Sequence, residues 1–174
     1  VQPRFLVAFW GIETDFGRLT GGYSVIAAIT TLAYDGRRSD FFRRQLMDAL
    51  LILEEGHTTP DKMTGSWAGG TGPAQFMPYT FRSPSVAFDG DNKIDLWGNK
   101  GDVFASAANY LSKVGWNKDQ TWGREVKLPD DFDKSLFGLE TQKSLAEWDK
   151  LGVRRLSGDN LPERDFQASL IQPD

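Results

Sequence analysis

A single carboxyl group in an apolar setting is the best candidate for acid–base chemistry in this sequence. Glu13 lies near the end of an apolar segment, and its aromatic neighbours are Phe9, Trp10 and Phe16. Burial among such side chains would remove solvation from the carboxylate and so favour the protonated acid. A carboxyl that keeps its proton near neutral pH can donate it to a leaving oxygen. The sequence therefore predicts a general acid, and the alternative is a structural Glu paired with an arginine or a helix end.

An acidic stretch is a candidate cation site. Residues 89–95 read Asp-Gly-Asp-Asn-Lys-Ile-Asp, and Ca2+ binds several oxygen ligands from alternating positions of a tight loop. The EF-hand pattern fits poorly, because Ala87 occupies the first ligand position and Asn92 the usual glycine position. The alternative is a solvated turn whose Asp side chains accept hydrogen bonds from their own backbone. The sequence leaves both interpretations open.

Two further patterns point away from phosphate binding and from a catalytic triad. Residues 64–78 contain four Gly and two Pro, which predicts a structured loop, but they lack the Gly-Lys-Ser/Thr ending of a phosphate-binding loop. His57, the single histidine, follows Gly56 in a polar turn without a Ser or Cys context. We expect it to be a solvated loop residue.

Composition excludes several classes of protein. The net charge of -4 and the pI near 5.1 argue against nucleic-acid binding, which needs a concentrated basic surface. The absence of Cys excludes disulfides and thiolate metal sites. No apolar run reaches the roughly 18 to 20 residues of a membrane-spanning helix. At 174 residues the chain is long enough for one compact domain with a real core.

Helices must position the candidate residues in the first half of the chain. Pro3 suits the first turn of a helix that is apolar nearly all round, as in a buried central helix, and Gly17 is available to end it. Ser24 is predicted to cap a second helix and Ser39 a third, with Gly56 past its end.

The second half is predicted to contain both element types. Apolar spacing predicts a helix over 102–114, ended by Gly115, and another over 141–151. Alternation over 124–128 predicts a short strand. The fold class is therefore α+β and predominantly helical.

Three segments in a fixed order carry a family resemblance. They are residues 11–17 (Gly-Ile-Glu-Thr-Asp-Phe-Gly), the glycine-rich residues 65–78, and residues 89–97 followed by Ala-Ala-Asn-Tyr-Leu at 107–111. Together they resemble the membrane-bound lytic murein transglycosylase B family, whose catalytic domain has a lysozyme-like fold. The resemblance covers roughly residues 1–170 and implies one transglycosylase catalytic domain over 1–174. It also implies that the chain is a fragment that lacks N- and C-terminal segments.

The resemblance assigns roles to individual residues. Glu13 matches the family's catalytic acid/base. The matches to saccharide-contacting positions are Ser66, Gln75 and Tyr110, and those to the paired arginines near the site are Arg37 and Arg38. A solvated pair at a helix start is the alternative for the arginines. The resemblance implies that Asp89, Asp91 and Asp102 would bind a structural calcium ion. Ala87 and an insertion at Gly101 depart from the family's metal-loop pattern. No other cofactor is implied.

The implied reaction is cleavage of the β-1,4 bond between N-acetylmuramic acid and N-acetylglucosamine in peptidoglycan. The family cleaves it without water and leaves a 1,6-anhydromuramyl end. Two alternatives stay open: hydrolysis by a lysozyme-like muramidase, and a catalytically silent peptidoglycan-binding module. The substrate implies a periplasmic location, which is compatible with a lipid anchor on the full-length protein. We expect a monomer, with other cell-wall enzymes as partners.

Overall fold

The computed structural model describes residues 1–173. Two compact units divide the chain, Val1–Asp119 and Gln120–Asp174. None of the helices in the described part is long and apolar enough to cross a membrane. The single domain that the sequence predicts stays a prediction, and one cooperative unfolding transition would support it.

The first unit is built mainly from helices. They are α1 (Pro3–Thr14), α2 (Val25–Asp35), α3 (Ser39–Glu54), α4 (Pro78–Arg82) and α5 (Lys100–Lys113). Two short strands, β1 (Tyr23–Ser24) and β2 (Thr64–Gly65), pair antiparallel with Tyr23 opposite Gly65. The predicted α+β, helix-dominated class is confirmed.

Local signals account for some helix ends and not for others. Ser24 caps α2 as predicted, because its side chain accepts a hydrogen bond from the Ala27 N–H. The prediction for Ser39 was wrong. Arg38 is the residue before α3, with a φ of 63°. The Ser39 hydroxyl instead donates to the Ala33 carbonyl at 2.6 Å, which joins the start of α3 to α2.

Helix α1 departs from the sequence prediction in two ways. It ends at Thr14, because Asp15 and Phe16 adopt left-handed backbone conformations before Gly17 is reached. It is also not a buried central helix: Ile12 is 84% exposed, and Thr14 is its buried residue. Since apolar side chains surround the whole helix, one packed side leaves the others exposed.

The core of the first unit lies between α2 and α3 and extends under the glycine-rich loop. Its buried apolar residues include Val25, Ile29, Ala49, Ile52, Met63, Phe76, Phe81, Leu96 and Val103. Buried Gln45 accepts a hydrogen bond from the Tyr79 N–H at 3.0 Å and so anchors the first turn of α4 on α3.

An ion-pair network also holds α4 against α3. The Arg82 guanidinium lies 3.0 Å from Asp48 and 2.8 Å from Glu55. The hydrogen bond from Arg82 is the main reason that the pKa of Glu55 lies below its usual range. A lowered carboxyl pKa contributes stability above the unfolded-state pKa, and that contribution disappears as pH falls through the folded-state pKa.

We therefore expect Arg82→Gln to lower the free energy of unfolding near neutral pH. The difference between the variant and the parent should shrink as the pH falls through the folded-state pKa of Glu55. Urea unfolding at several pH values measures this difference. A gap that stays constant into acid conditions would contradict the electrostatic origin of the effect.

The second unit has its own small core of Trp148, Val153 and Leu161. Its elements are β3 (Val126–Lys127), a 3-10 helix (Lys134–Leu136), β4 (Gln142–Ser144), α6 (Leu145–Lys150), β5 (Arg154–Arg155) and β6 (Gln167–Ser169). Strands β3 and β5 pair antiparallel, as do β4 and β6. The strand predicted over 124–128 is present, whereas the helix predicted over 141–151 begins at Leu145. Ser144 and Glu147 form a capping box that fixes this start.

Candidate active site

Glu13 is the penultimate residue of α1, and its side chain is exposed. It makes neither a hydrogen bond nor an ion pair with any of residues 1–173, so the structural pairing that the sequence left open is not observed. The expectation that apolar side chains enclose Glu13 was wrong. Because the helix ends one residue later, no further helical turn covers this carboxyl. The neighbouring aromatic rings pack on one another, with Trp10 edge-on to Phe16 and Phe104.

Thr14 fixes the position of the helix end that carries Glu13. Its hydroxyl donates to the Pro73 carbonyl at 2.7 Å, accepts from the Gly17 N–H at 3.1 Å, and is 1% exposed. Pro73 belongs to the glycine-rich loop, residues 64–78. One buried hydroxyl therefore joins the residue beside Glu13 to a loop that lies 59 positions further along the chain.

The glycine-rich loop brings Ser66 and Gln75 together around Gly70. The Ser66 Oγ accepts the Gly70 N–H at 3.0 Å. A Cβ atom on Gly70 would lie 2.8 Å from Gln75 Oε1 and 3.1 Å from Ser66 Oγ, so a larger residue would crowd both side chains. Gln75 Nε2 also donates to the Thr20 carbonyl at 3.2 Å, which ties the loop to the segment after α1.

Tyr110 reaches the same loop from α5. Its ring packs edge-on against Phe76, with centroids 6.2 Å apart, and the side chain is 36% exposed. The glycine-rich loop thus contains Ser66 and Gln75. It contacts Tyr110 directly, and it is joined to Glu13 through the neighbouring Thr14. This arrangement places an unpaired carboxyl, a hydroxyl, an amide and a phenol around one loop.

The two arginines directly precede α3. The Arg38 guanidinium lies over the Phe41 ring at 4.5 Å, at the start of α3. Arg37 and Arg38 are both exposed, and neither is hydrogen-bonded to Glu13, Ser66 or Gln75. Their role in binding stays a prediction.

Comparison with known proteins identifies the family of this chain. The model of the transglycosylase SLT domain matches residues 1–174. The chain belongs to this transglycosylase family. The membrane-bound lytic murein transglycosylase B of Escherichia coli (strain K12) is 32% identical over 169 residues, which cover 90% of this chain and 46% of that protein. The predicted family is therefore confirmed.

Solved structures agree with the family and with the lysozyme-like fold. SltB3 from Pseudomonas aeruginosa, in complex with NAG-NAM-pentapeptide, matches with a TM-score of 0.91 and 47% identity over 96% of this chain and 45% of its own. Escherichia coli Slt35, in complex with calcium, matches with a TM-score of 0.82 and 31% identity over 98% of this chain and 53% of its own. The transglycosylase domain spans about half the length of these relatives.

The carboxyl groups of the acidic stretch do not form a metal-ligating group among residues 1–173. Residues 1–173 contain no group of three His, Cys, Asp or Glu side chains that could hold a metal. Asp89 accepts from the Asp91 N–H at 3.4 Å, and Asp91 accepts from the Lys93 N–H at 2.8 Å. These hydrogen bonds match the alternative that the sequence left open, a turn whose Asp side chains accept hydrogen bonds from their own backbone.

Asp102 anchors the same stretch to α5. It is fully buried, and its two carboxylate oxygens accept the N–H groups of Phe88 and Asp95, each at 2.8 Å. The buried carboxylate of Asp102 therefore links Phe88 and Asp95, the two flanks of the acidic stretch.

Sequence reasoning missed two residues of the transglycosylase domain. The role of Thr14 depends on its distant partner Pro73, although its position beside Glu13 was a usable signal. The expectation that His57 is a solvated loop residue was wrong. Its Nδ1 accepts the Ile94 N–H at 3.1 Å, and its ring packs on Phe81. No local signal points to a partner 37 positions away.

Replacing Thr14 by Val keeps the side-chain shape and removes the hydroxyl. We expect kcat to fall about tenfold or more with little change in KM, because a small displacement of an acid from its reacting atom is costly. Thr14→Ser should restore most of kcat. Steady-state cleavage assays well below the melting temperature measure both constants. If Thr14→Val loses stability but keeps kcat, the hydroxyl serves the fold alone.

Proposed function

We propose that this chain cleaves peptidoglycan glycan strands between N-acetylmuramic acid and N-acetylglucosamine and forms 1,6-anhydromuramyl products. The observation that carries the proposal is the unpaired carboxyl of Glu13, held through Thr14 beside the loop that bears Ser66 and Gln75. Membership of the transglycosylase family supports the same reaction.

One carboxyl group is enough for this reaction if the substrate supplies the rest. Glu13 protonates the glycosidic oxygen as the bond to muramyl C1 breaks, and the substrate's own acetamido group stabilises the cationic centre. The Glu13 carboxylate then takes the proton from the muramyl C6 hydroxyl as that oxygen bonds to C1. Proton and bond counts balance, and Glu13 ends in its starting state.

Proximity favours the intramolecular nucleophile over water. A hydroxyl held on the reacting sugar has an effective molarity of about 10^5 M or more when it is well oriented. Apolar residues of the glycine-rich loop, namely Trp67, Phe76 and Met77, would further lower water access to the reacting atoms.

The remaining residues would hold the substrate. Ser66 and Gln75 can hydrogen-bond N-acetyl and hydroxyl groups, and Tyr110 offers a ring face and a hydroxyl. Arg37 and Arg38 would bind carboxylates of the lactyl group or the stem peptide. These roles match the chemistry of each side chain.

The substrate sets the location and the partners. Because peptidoglycan lies outside the cytoplasmic membrane, we infer that the protein acts in the periplasm. It acts as a monomer beside other cell-wall enzymes. The proposed steps require no organic cofactor.

Digestion of purified peptidoglycan followed by mass spectrometry tests the proposal. Released muropeptides should be lighter by one water than hydrolytic products. Free reducing ends would identify a lysozyme-like muramidase instead. Binding to peptidoglycan without any release would identify a catalytically silent module.

A further inference from the structure

An uncharged groove lies between α2 and the glycine-rich loop. Its volume is about 340 Å3, within the range of small-molecule sites. The lining residues are Tyr23, Ser24, Ala27, Ala28, Thr31, Leu32 and Trp67. None of them is Asp, Glu, Lys or Arg, although these residues make up 25% of the chain. The groove therefore suits a neutral ligand with an apolar face.

Two exposed aromatic side chains flank the groove. Tyr23 is 62% exposed and Trp67 is 64% exposed. The Tyr23 hydroxyl and the Trp67 indole N–H have no hydrogen-bond partner among residues 1–173. Each side chain thus offers a flat apolar face together with an unused polar group, a combination that favours ligands with both kinds of surface.

The floor of the groove is apolar in practice despite its hydroxyl groups. The Thr31 hydroxyl donates to the Ala27 carbonyl at 2.9 Å, and the Ser24 hydroxyl accepts the Ala27 N–H. Both groups are engaged by their own helix, so the floor presents mainly methyl groups. A ligand lying on it would meet aromatic rings at the sides and small side chains below.

We propose that this groove binds a neutral N-acetylhexosamine ring of the glycan strand, stacked on Trp67 and Tyr23. A pyranose ring has an apolar C–H face and a polar rim, which match the aromatic faces and the free indole N–H and phenol. The proposal rests on the proposed function, because it takes the same polymer as ligand. It assigns Tyr23 and Trp67 to binding of a second part of that polymer.

Residues that line the groove adjoin residues of the candidate active site in the chain and in the β1–β2 pair. Tyr23 lies opposite Gly65 in the β1–β2 pair, and Trp67 directly follows Ser66. Ser66 in turn faces Gln75 across Gly70. One glycan strand that contacts both places gains affinity, because its second contact is intramolecular.

Binding of chitohexaose, an uncharged β-1,4 oligomer of N-acetylglucosamine, tests the groove. Glu13→Gln in every protein removes turnover, and isothermal titration calorimetry gives Kd. Trp67→Ala and Tyr23→Ala should each raise Kd about tenfold, the usual effect of losing an aromatic anchor. Trp67→Phe should keep most of the affinity. The matched control is Trp122→Ala, which removes an indole that is 74% exposed outside the groove and should change Kd less than about twofold.

The outcomes separate the groove from the proposed function. If Trp67→Ala and Tyr23→Ala bind chitohexaose as Trp122→Ala does, the groove proposal is overturned, even when the Glu13 protein releases anhydro products. If Glu13→Gln alone binds no chitohexaose, the groove proposal is also overturned. If the aromatic variants lose binding but the Glu13 protein releases no anhydro product, the groove stands and the proposed function falls. Circular dichroism checks that each variant is folded.

Discussion

Replacing Glu13 by Gln should lower the rate of release of anhydromuropeptides by about 10^3-fold or more. Gln has nearly the same shape but can neither donate a proton to the glycosidic oxygen nor accept one from the C6 hydroxyl. General acid and base catalysis each contribute about 10^2 to 10^4-fold, and here one carboxyl performs both steps. Since Glu13 is exposed and unpaired, its replacement should leave the melting temperature almost unchanged.

A matched control exists in the same unit. Glu54 is also an exposed carboxyl near the end of a helix, the last residue of α3. Glu54→Gln should keep the parent rate of release, measured by mass spectrometry of timed digests. Retention of more than about a tenth of the activity in Glu13→Gln would assign the proton transfers to another group.

The helices that could be predicted correctly are those whose ends depend on neighbouring residues. The Ser24 cap and Gly56 after α3 are local features, and both occur as predicted. Ser39 has the same residue type as Ser24 but bonds to the preceding helix, which a capping rule does not anticipate. The end of α1 was missed because Asp15 and Phe16 take left-handed conformations that favour glycine in isolation.

The candidate site likewise combines features that local sequence predicts with features that depend on the folded chain. Glu13, Ser66, Gln75 and Tyr110 could be named from motifs, and the structure attaches all four to the glycine-rich loop. The solvent exposure of Glu13 could not be foreseen, because it depends on where α1 ends rather than on which residues precede it. The groove beside Trp67 also escaped prediction, since its two walls come from segments that are 35 or more positions apart.

Asp102 gives the largest expected effect on stability. Asp102→Ala should lower the free energy of unfolding by about 3 kcal/mol, because two backbone N–H groups lose a charged acceptor and a fully buried site loses its side chain. Asp91→Ala is the matched control in the same acidic stretch. Asp91 is exposed and accepts one local N–H, so its loss should cost about 0.5 kcal/mol or less. Urea unfolding of both variants gives the comparison.

The same variants decide between a buried anchor and a calcium ligand. A bound ion would stabilise the parent by about 2.7 kcal/mol at a hundred times its Kd, so Ca2+ should raise the melting temperature and a chelator should lower it. We expect neither change, because residues 1–173 contain no group of three His, Cys, Asp or Glu side chains that could hold a metal. A rise with Ca2+ that disappears in Asp91→Ala would instead show that the exposed carboxylates share an ion. Without such a rise, hydrogen bonds to the side chains of Asp89, Asp91 and Asp102 account for the conformation of the acidic stretch.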